Sequence, residues 1–306
     1  MVAALGALRP GIFAGVLALY VGGQLISAAK WALAAGALGF RRRYRDYARF
    51  YFIGMFVNLF SPGTVGGDVA RSLMLGDGAR RALAFASVVF DRASGLVVLI
   101  AIGLSALVLR SGASVPAPLA WAAAAIVAVL LLSWLLLPRL AAFVLPVRHR
   151  LRRFVLEDLA PLWKSRALLT RVTVVSAAFH LVEVTAQYVL ARALGLRVPY
   201  SYCLVFHPLV TVAASFPLTI GGLGVREGGY VFLLGLVGVA PARAFAMGLL
   251  WSGVVFLGGI GGGVALLLRR PGAPGADAGV TGQTSSTVTA SNEASVGTGP
   301  SRRPAR

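Results

Sequence analysis

PGTVGGDVAR at residues 62–71 and PLTIGGLGVR at residues 217–226 are two copies of one ten-residue pattern. Aligned without a gap, they match Pro62 with Pro217, Thr64 with Thr219 and Val65 with Ile220. Gly66-Gly67 falls on Gly221-Gly222, and Arg71 falls on Arg226. Both copies interrupt strongly apolar sequence, where proline and paired glycine break a helix. A helix broken at two matching places inside apolar sequence predicts the working site of a membrane protein.

The rest of the chain agrees with a membrane setting. Of its 306 residues, 58% are hydrophobic and 13% are charged, and the mean hydropathy is +0.82. That composition does not supply the polar surface of a soluble domain. Several apolar runs reach the ~20 residues needed to cross a bilayer. The net charge of +19 comes from arginines clustered in short segments between those runs. This is the positive-inside pattern of membrane proteins, not a nucleic-acid footprint, so no nucleic-acid partner is expected. A single cysteine, Cys203, excludes intramolecular disulfides and cysteine-based metal sites. No metal-ligand spacing, Ser/His/Asp set or nucleotide loop is evident, so neither metal nor cofactor is expected. GGLGVREGG at 221–229 lacks the strand and βαβ context of a dinucleotide fingerprint.

Read in order, residues 11–29 form a first span that closes at Lys30-Trp31, a cation beside an indole as at a membrane interface. RRRYRD at 41–46, with Arg49, makes a dense basic loop. Residues 50–60 are apolar but too short to cross, and they run into the first copy. Spans follow at 82–109 (carrying Asp91-Arg92), 119–137 and, after a basic connection at 139–171, 172–191. Residues 201–216 lead into the second copy, 228–240 lead out, and 244–268 form the last span before Arg269-Arg270. The expected domains are a transmembrane region at 1–270 and a Gly, Ala, Ser, Thr and Pro-rich disordered tail at 271–306.

The basic loops at 41–49, 139–171 and 269–270 belong on the cytoplasmic side, and the loop at 111–118 outside. Residues 71–81 must then share the side of 41–49, so 50–71 enters and returns. Three crossings separate the copies, which makes the second hairpin dip in from the opposite face. The expected fold is therefore all-α, integral to the cell membrane and multi-pass. It is a polytopic helical bundle with two inverted re-entrant, broken-helix hairpins and a cytoplasmic tail. Inverted repeats with broken helices at the midplane are a plan of secondary transporters. Irregular backbone at that depth must be buried in protein or line a wet cavity.

Four of the ten acidic residues lie in or beside spans: Asp68, Asp91, Glu183 and Glu227. Each costs roughly 2.5–3.5 kcal/mol at the bilayer centre when unpaired. Asp68 lies three residues before Arg71 and Glu227 adjoins Arg226, so each hairpin carries an acid and an arginine that neutralise each other. Arg71 and Arg226 present planar donor forks suited to an anionic headgroup. Gly66, Gly67, Gly221, Gly222 and Gly224 bare backbone N–H groups toward the same anion. Pro62 and Pro217 set the breaks, and Asn58 is a partner for freed carbonyls. The alternative is that each arginine pairs only with its neighbouring acid or snorkels. His180, Glu183 and Gln187 share one helical face, as a proton relay, a headgroup pathway or interhelical hydrogen bonds. Asp91-Arg92 is either a buried ion pair or part of that pathway, and His207 before Pro208 caps a helix break.

NLFSPGTVGGDVARSLML (58–75), SVVFDRASGL (87–96) and FPLTIGGLGVREGG (216–229) together resemble the signatures of the flippase-like family. That family is the transmembrane region of lysylphosphatidylglycerol synthases and of stand-alone membrane proteins. The resemblance covers roughly residues 11–268. It implies movement of lipid across the membrane, which in the synthases is aminoacylated by a separate cytosolic domain. The 36-residue tail after Arg270 is too short and polar for such a domain, so synthase activity is not expected. Family members often carry a further span before the Lys30-Trp31 position, which suggests a truncated start or an external N-terminus. The function expected is translocation of a membrane phospholipid or polyprenyl-linked lipid. The alternative is a non-transporting scaffold for a lipid- or glycan-modifying enzyme docked on 139–171.

Overall fold

The first helix, α1 (Pro10–Ala37), opens on a proline at its first position, where the fixed φ fits and no N–H is needed. Further along, Ser165 starts α6 (Arg166–Ala193) by accepting a hydrogen bond from the Leu168 N–H at 3.2 Å, as an N-cap does. This computed structural model describes residues 9–109, 153–217 and 219–268, with helical positions at 121, 125, 128 and 129. The remainder of the expected span at 119–137, the loop at 111–118, residues 139–152 of the basic connection and the tail at 271–306 lie outside the described residues.

Between α1 and α6 lie α2 (Tyr44–Asn58), α3 (Val65–Leu75), α4 (Arg81–Leu109) and the short α5 (Ala160–Lys164). After α6 come α7 (Tyr200–Ser215), α8 (Val225–Gly235) and α9 (Pro241–Leu267). No strand occurs among the described residues. Four segments there are long and apolar enough to cross a membrane: Pro10–Ala37, Gly78–Leu107, Arg166–Ala193 and Pro241–Val264. The expected all-helical, multi-span class is what the chain adopts.

Both broken segments fold as antiparallel helical hairpins, α2–α3 and α7–α8. In the first, Gly54 and Asn58 of α2 meet Gly67 of α3; a Cβ on Gly67 would strike the Gly54 carbonyl. In the second, Val210 faces Gly229, and the Tyr202 hydroxyl donates to the Leu233 carbonyl at 2.6 Å. The two turns touch through an isolated antiparallel bridge between Pro62 and Ile220. Gly63 N–H donates to the Thr219 carbonyl and Gly221 N–H to the Ser61 carbonyl, each at 3.1 Å.

The hairpin bases lie at opposite ends of α1. Tyr47 and Leu75, at the base of the first, join a buried cluster with Ala28, Trp31 and Ala35 from the C-terminal half of α1. Tyr202 and Leu233, at the base of the second, join a separate cluster with Val16 and Tyr20 from its N-terminal half. α9 holds the first hairpin through glycines. A Cβ on Gly262 would overlap the Phe52 carbonyl, and one on Gly263 would sit 2.7 Å from the Phe56 ring. Small residues let helices approach closely where no hydrophobic drive brings them together.

Three expectations need correction. The Lys30-Trp31 pair is not an interfacial anchor: α1 continues past it, and the two residues are 3% and 0% exposed. His207-Pro208 does not mark a break, since α7 runs unbroken across it. The two copies also differ in backbone. In the first, Val65 starts the helix and both glycines are helical. In the second, Gly221, Gly222 and Gly224 take φ of +62°, +74° and +82° and extend the turn, so the helix starts only at Val225. Gly224, aligned with Val69, permits that left-handed step, which a β-branched residue resists.

Candidate functional site

Between the hairpin turns, α1, α4 and α6 lies a cavity of about 560 Å³, within the size range of small-ligand sites. Both arginines of the repeat line it. The first hairpin also contributes Asn58, Gly67 and Asp68, and the second contributes Gly221. Asp91 and Arg92 of α4 and His180, Glu183 and Gln187 of α6 complete the predicted set in its wall. Pro62, Gly66, Pro217, Gly222, Gly224 and Glu227 shape the turns and are not in that wall.

The first arginine is locked in place. Arg71, 2% exposed, pairs with Asp68 (3.0 Å) in its own helix and with Asp91 (3.0 Å) in α4. Its guanidinium lies 5.1 Å from the ring centroids of both Trp31 and Tyr51. Lys30 pairs with the other oxygen of Asp91 at 3.2 Å and donates to the Asp91 carbonyl at 2.8 Å. Arg92 holds Asp68 with both oxygens at 3.0 Å from its Nε. Asp91 and Arg92 thus serve the first hairpin, not each other. Lys30 was missed as a site residue because its partner is 61 positions away. The one available signal was a lysine near the end of a helix that does not stop there.

The second arginine is different. Arg226 is half-buried, donates to Ser252 Oγ at 3.2 Å and has no ion pair with any described carboxylate. The expected Arg226–Glu227 neutralisation does not occur. Glu227 turns back to accept from the Gly224 N–H at 2.6 Å and from the Ser252 hydroxyl, capping the start of α8. Arg226 therefore stands as the second residue of a helix, where the dipole favours an anion and disfavours a cation.

Asn58 works in the opposite sense to the one expected. Its Oδ1 accepts from the Gly67 N–H at 2.7 Å, so it caps a freed donor and no carbonyl. That bond engages the Gly67 N–H, while Gly66 lies in the first turn of α3. The Gly221 N–H is likewise spent, on Ser61. The glycines provide close packing and turns.

The α6 stripe is buried, as its spacing predicts. Glu183 accepts from Gln24 Nε2 at 3.0 Å, His180 Nε2 lies 2.9 Å from the Gly95 carbonyl, and Gln187 Nε2 lies 2.7 Å from His207 Nδ1. Further buried atoms in the cavity wall have no protein hydrogen-bond partner, among them Arg71 Nε, His180 Nδ1, Gln187 Oε1 and the Tyr230 hydroxyl. Among the described residues no cluster of His, Cys, Asp and Glu is arranged to hold a metal.

A cavity carrying charged side chains between two broken-helix hairpins, inside apolar spans, accompanies a match over residues 1–263 to the sequence model of the lysylphosphatidylglycerol synthase TM region. The chain belongs to that family. Neither a curated protein nor a solved structure matched it. Family membership makes the chain a multi-pass membrane protein related to lipid headgroup handling. The three motifs that carried the resemblance fall on the first hairpin, on α4 at the Lys30–Asp91–Arg71 cluster, and on the second hairpin.

Proposed function

We propose that this protein translocates an anionic lipid headgroup, held between two hairpins that are re-entrant and inverted across the membrane. Arg226 carries the proposal: it is a cation in the cavity wall, at a helix start, with no carboxylate partner among the described residues. Lys30, Arg71, Arg92 and Arg226 line the cavity against Asp68, Asp91 and Glu183, so the wall holds an excess of positive charge. A phosphate on Arg226 gains a charge-assisted, two-pronged contact. The unpartnered Tyr230 hydroxyl on the same helix supplies a further hydrogen bond. Hairpin bases at opposite ends of α1, with touching tips, support the inverted arrangement.

Reconstitution tests the assignment. Vesicles containing the protein and NBD-labelled phosphatidylglycerol are treated with dithionite, and loss of inner-leaflet signal reports flipping. The expected rate exceeds that of protein-free vesicles, and Arg226→Gln lowers it at least tenfold without unfolding the protein. Equal rates for the two proteins refute the role of Arg226, and no flipping by either leaves the scaffold alternative. Orientation is read separately from Ala79→Cys and Ala240→Cys, both at exposed positions beyond the hairpin ends. Maleimide labelling from opposite faces is expected, and labelling from one face rejects inversion.

A further inference from the structure

We propose that Glu183 takes up a proton whenever the cavity takes in an anionic headgroup, so that proton and anion bind together as a neutral pair. The inference rests on the headgroup-binding role of Arg226.

The acids in the cavity region are provided for unequally. Asp68 holds Arg71 and Arg92, Asp91 holds Lys30 and Arg71, and Glu227 caps α8. Glu183 alone among these four has neither a cation within ion-pair distance nor a helix start. It is 6% exposed, its Oε1 has a single neutral donor in Gln24, and it lies in the cavity wall. Gly23 presents no side chain there; a Cβ on it would lie 3.4 Å from Glu183 Oε1, so α1 closes tightly over that side.

The other ionisable groups facing this carboxyl are already engaged or neutral partners. From α1 come Tyr20 and Lys30, the latter committed to Asp91. On α6 itself His180 meets the Gly95 carbonyl, and from α7 His207 meets Gln187, each through one ring nitrogen with the other unpartnered. From α4, Asp91 and Arg92 belong to the first-hairpin cluster, and α9 faces the cavity with Trp251 and Val255. From α8 come Tyr230 and Arg226. Among the described residues, Arg226 is thus the one positive charge in the cavity wall without a carboxylate partner. Without a headgroup, Arg226 favours the carboxylate form. An anion bound to Arg226 cancels that attraction, adds a like charge and displaces water, and all three effects favour the carboxylic acid. By reciprocity, protonation of Glu183 strengthens anion binding by the same factor.

The test uses the full-length protein in detergent, with dihexanoyl phosphatidylglycerol as a soluble probe whose phosphodiester stays anionic throughout. Affinity is measured from pH 6 to pH 9, and proton uptake on binding is followed with an indicator dye in weak buffer. One-proton linkage predicts that Kd weakens toward tenfold per pH unit on the alkaline limb, with up to one proton taken up per probe bound. Glu183→Gln removes both the slope and the uptake, and Glu183→Asp retains them, which separates proton loading from a packing role. A flat profile for the native protein, or a slope that survives in Glu183→Gln, overturns the inference while leaving the headgroup site standing. No binding at any pH removes both.

Discussion

Replacing each repeat arginine by alanine separates two roles that one motif conceals. Arg71→Ala removes the cation shared by Asp68 and Asp91 from a site where it is 2% exposed. Breaking a buried pair costs about 3–5 kcal/mol when the remaining partner is left uncompensated, and here the low end applies, because Lys30 still holds Asp91 and Arg92 still holds Asp68. Lost contact with the Trp31 and Tyr51 rings acts in the same direction, by about 0.5–2 kcal/mol. Arg226→Ala removes hydrogen bonds to two neutral acceptors, Ser252 at 3.2 Å and the Gly221 carbonyl at 3.5 Å; at these lengths and half-buried they are worth about 0.5–1.5 kcal/mol each. Part of that is offset by relief of a cation at a helix start, about 0.3–1 kcal/mol. Equilibrium unfolding in mixed micelles titrated with SDS, followed by helicity, should show a loss of about 3–5 kcal/mol for Arg71→Ala. For Arg226→Ala the loss should stay below about 2.7 kcal/mol. The Arg71→Ala/Asp91→Asn double variant should cost less than the two single changes combined, with a coupling of about 1–3 kcal/mol. Equal losses for the two arginines, or strict additivity of the double variant, refute the division of labour.

Gly67→Ala should destabilise the protein by about 1–3 kcal/mol through its collision with the Gly54 carbonyl. Gly228→Ala, where nothing lies within 4 Å, should instead stabilise it by up to about 1 kcal/mol; the same unfolding titration checks both. Asn58→Ala should cost about 1 kcal/mol by uncapping the Gly67 N–H, and Asn58→Asp should recover most of it, as read from thermal melts of the purified variants. Cys203, 0% exposed in the second-hairpin cluster, should react with maleimide only after SDS unfolding. Rapid labelling of the native protein contradicts that packing.

Much of this architecture is written locally, and that part was legible. The long apolar runs gave the spans, and the Pro and Gly-Gly interruptions gave the two hairpins. The i, i+3, i+7 spacing of His180, Glu183 and Gln187 put one polar face toward the interior. What depended on distant partners was not legible. Lys30-Trp31 reads as an interfacial anchor until Asp91 and Ser87 arrive from another helix to bind both side chains. Equal spacing in the repeat also hid unequal backbone. One glycine, Gly224, shifts where the second helix starts, and with it the surroundings of Arg226. The Arg226–Glu227 adjacency suggested a pair, but consecutive helical residues do not face each other. Glu227 found the helix start instead.

The hydrogen bonds that join the hairpin tips are made by main chain. Gly63 and Gly221 each give one N–H to a carbonyl of the other hairpin. Such a seam contains no side-chain information, so nineteen of the twenty residues leave its donors intact, and only proline deletes one. Positive φ at both glycines, +56° and +62°, narrows the choice again by sterics. The two tips are therefore fastened by a clasp that mutation loosens mainly by distorting its shape. Its strength is modest, two bonds of about 1 kcal/mol each. A joint of that kind sets the two tips in register, while α1 and α9, which pack on both hairpins, hold the rest.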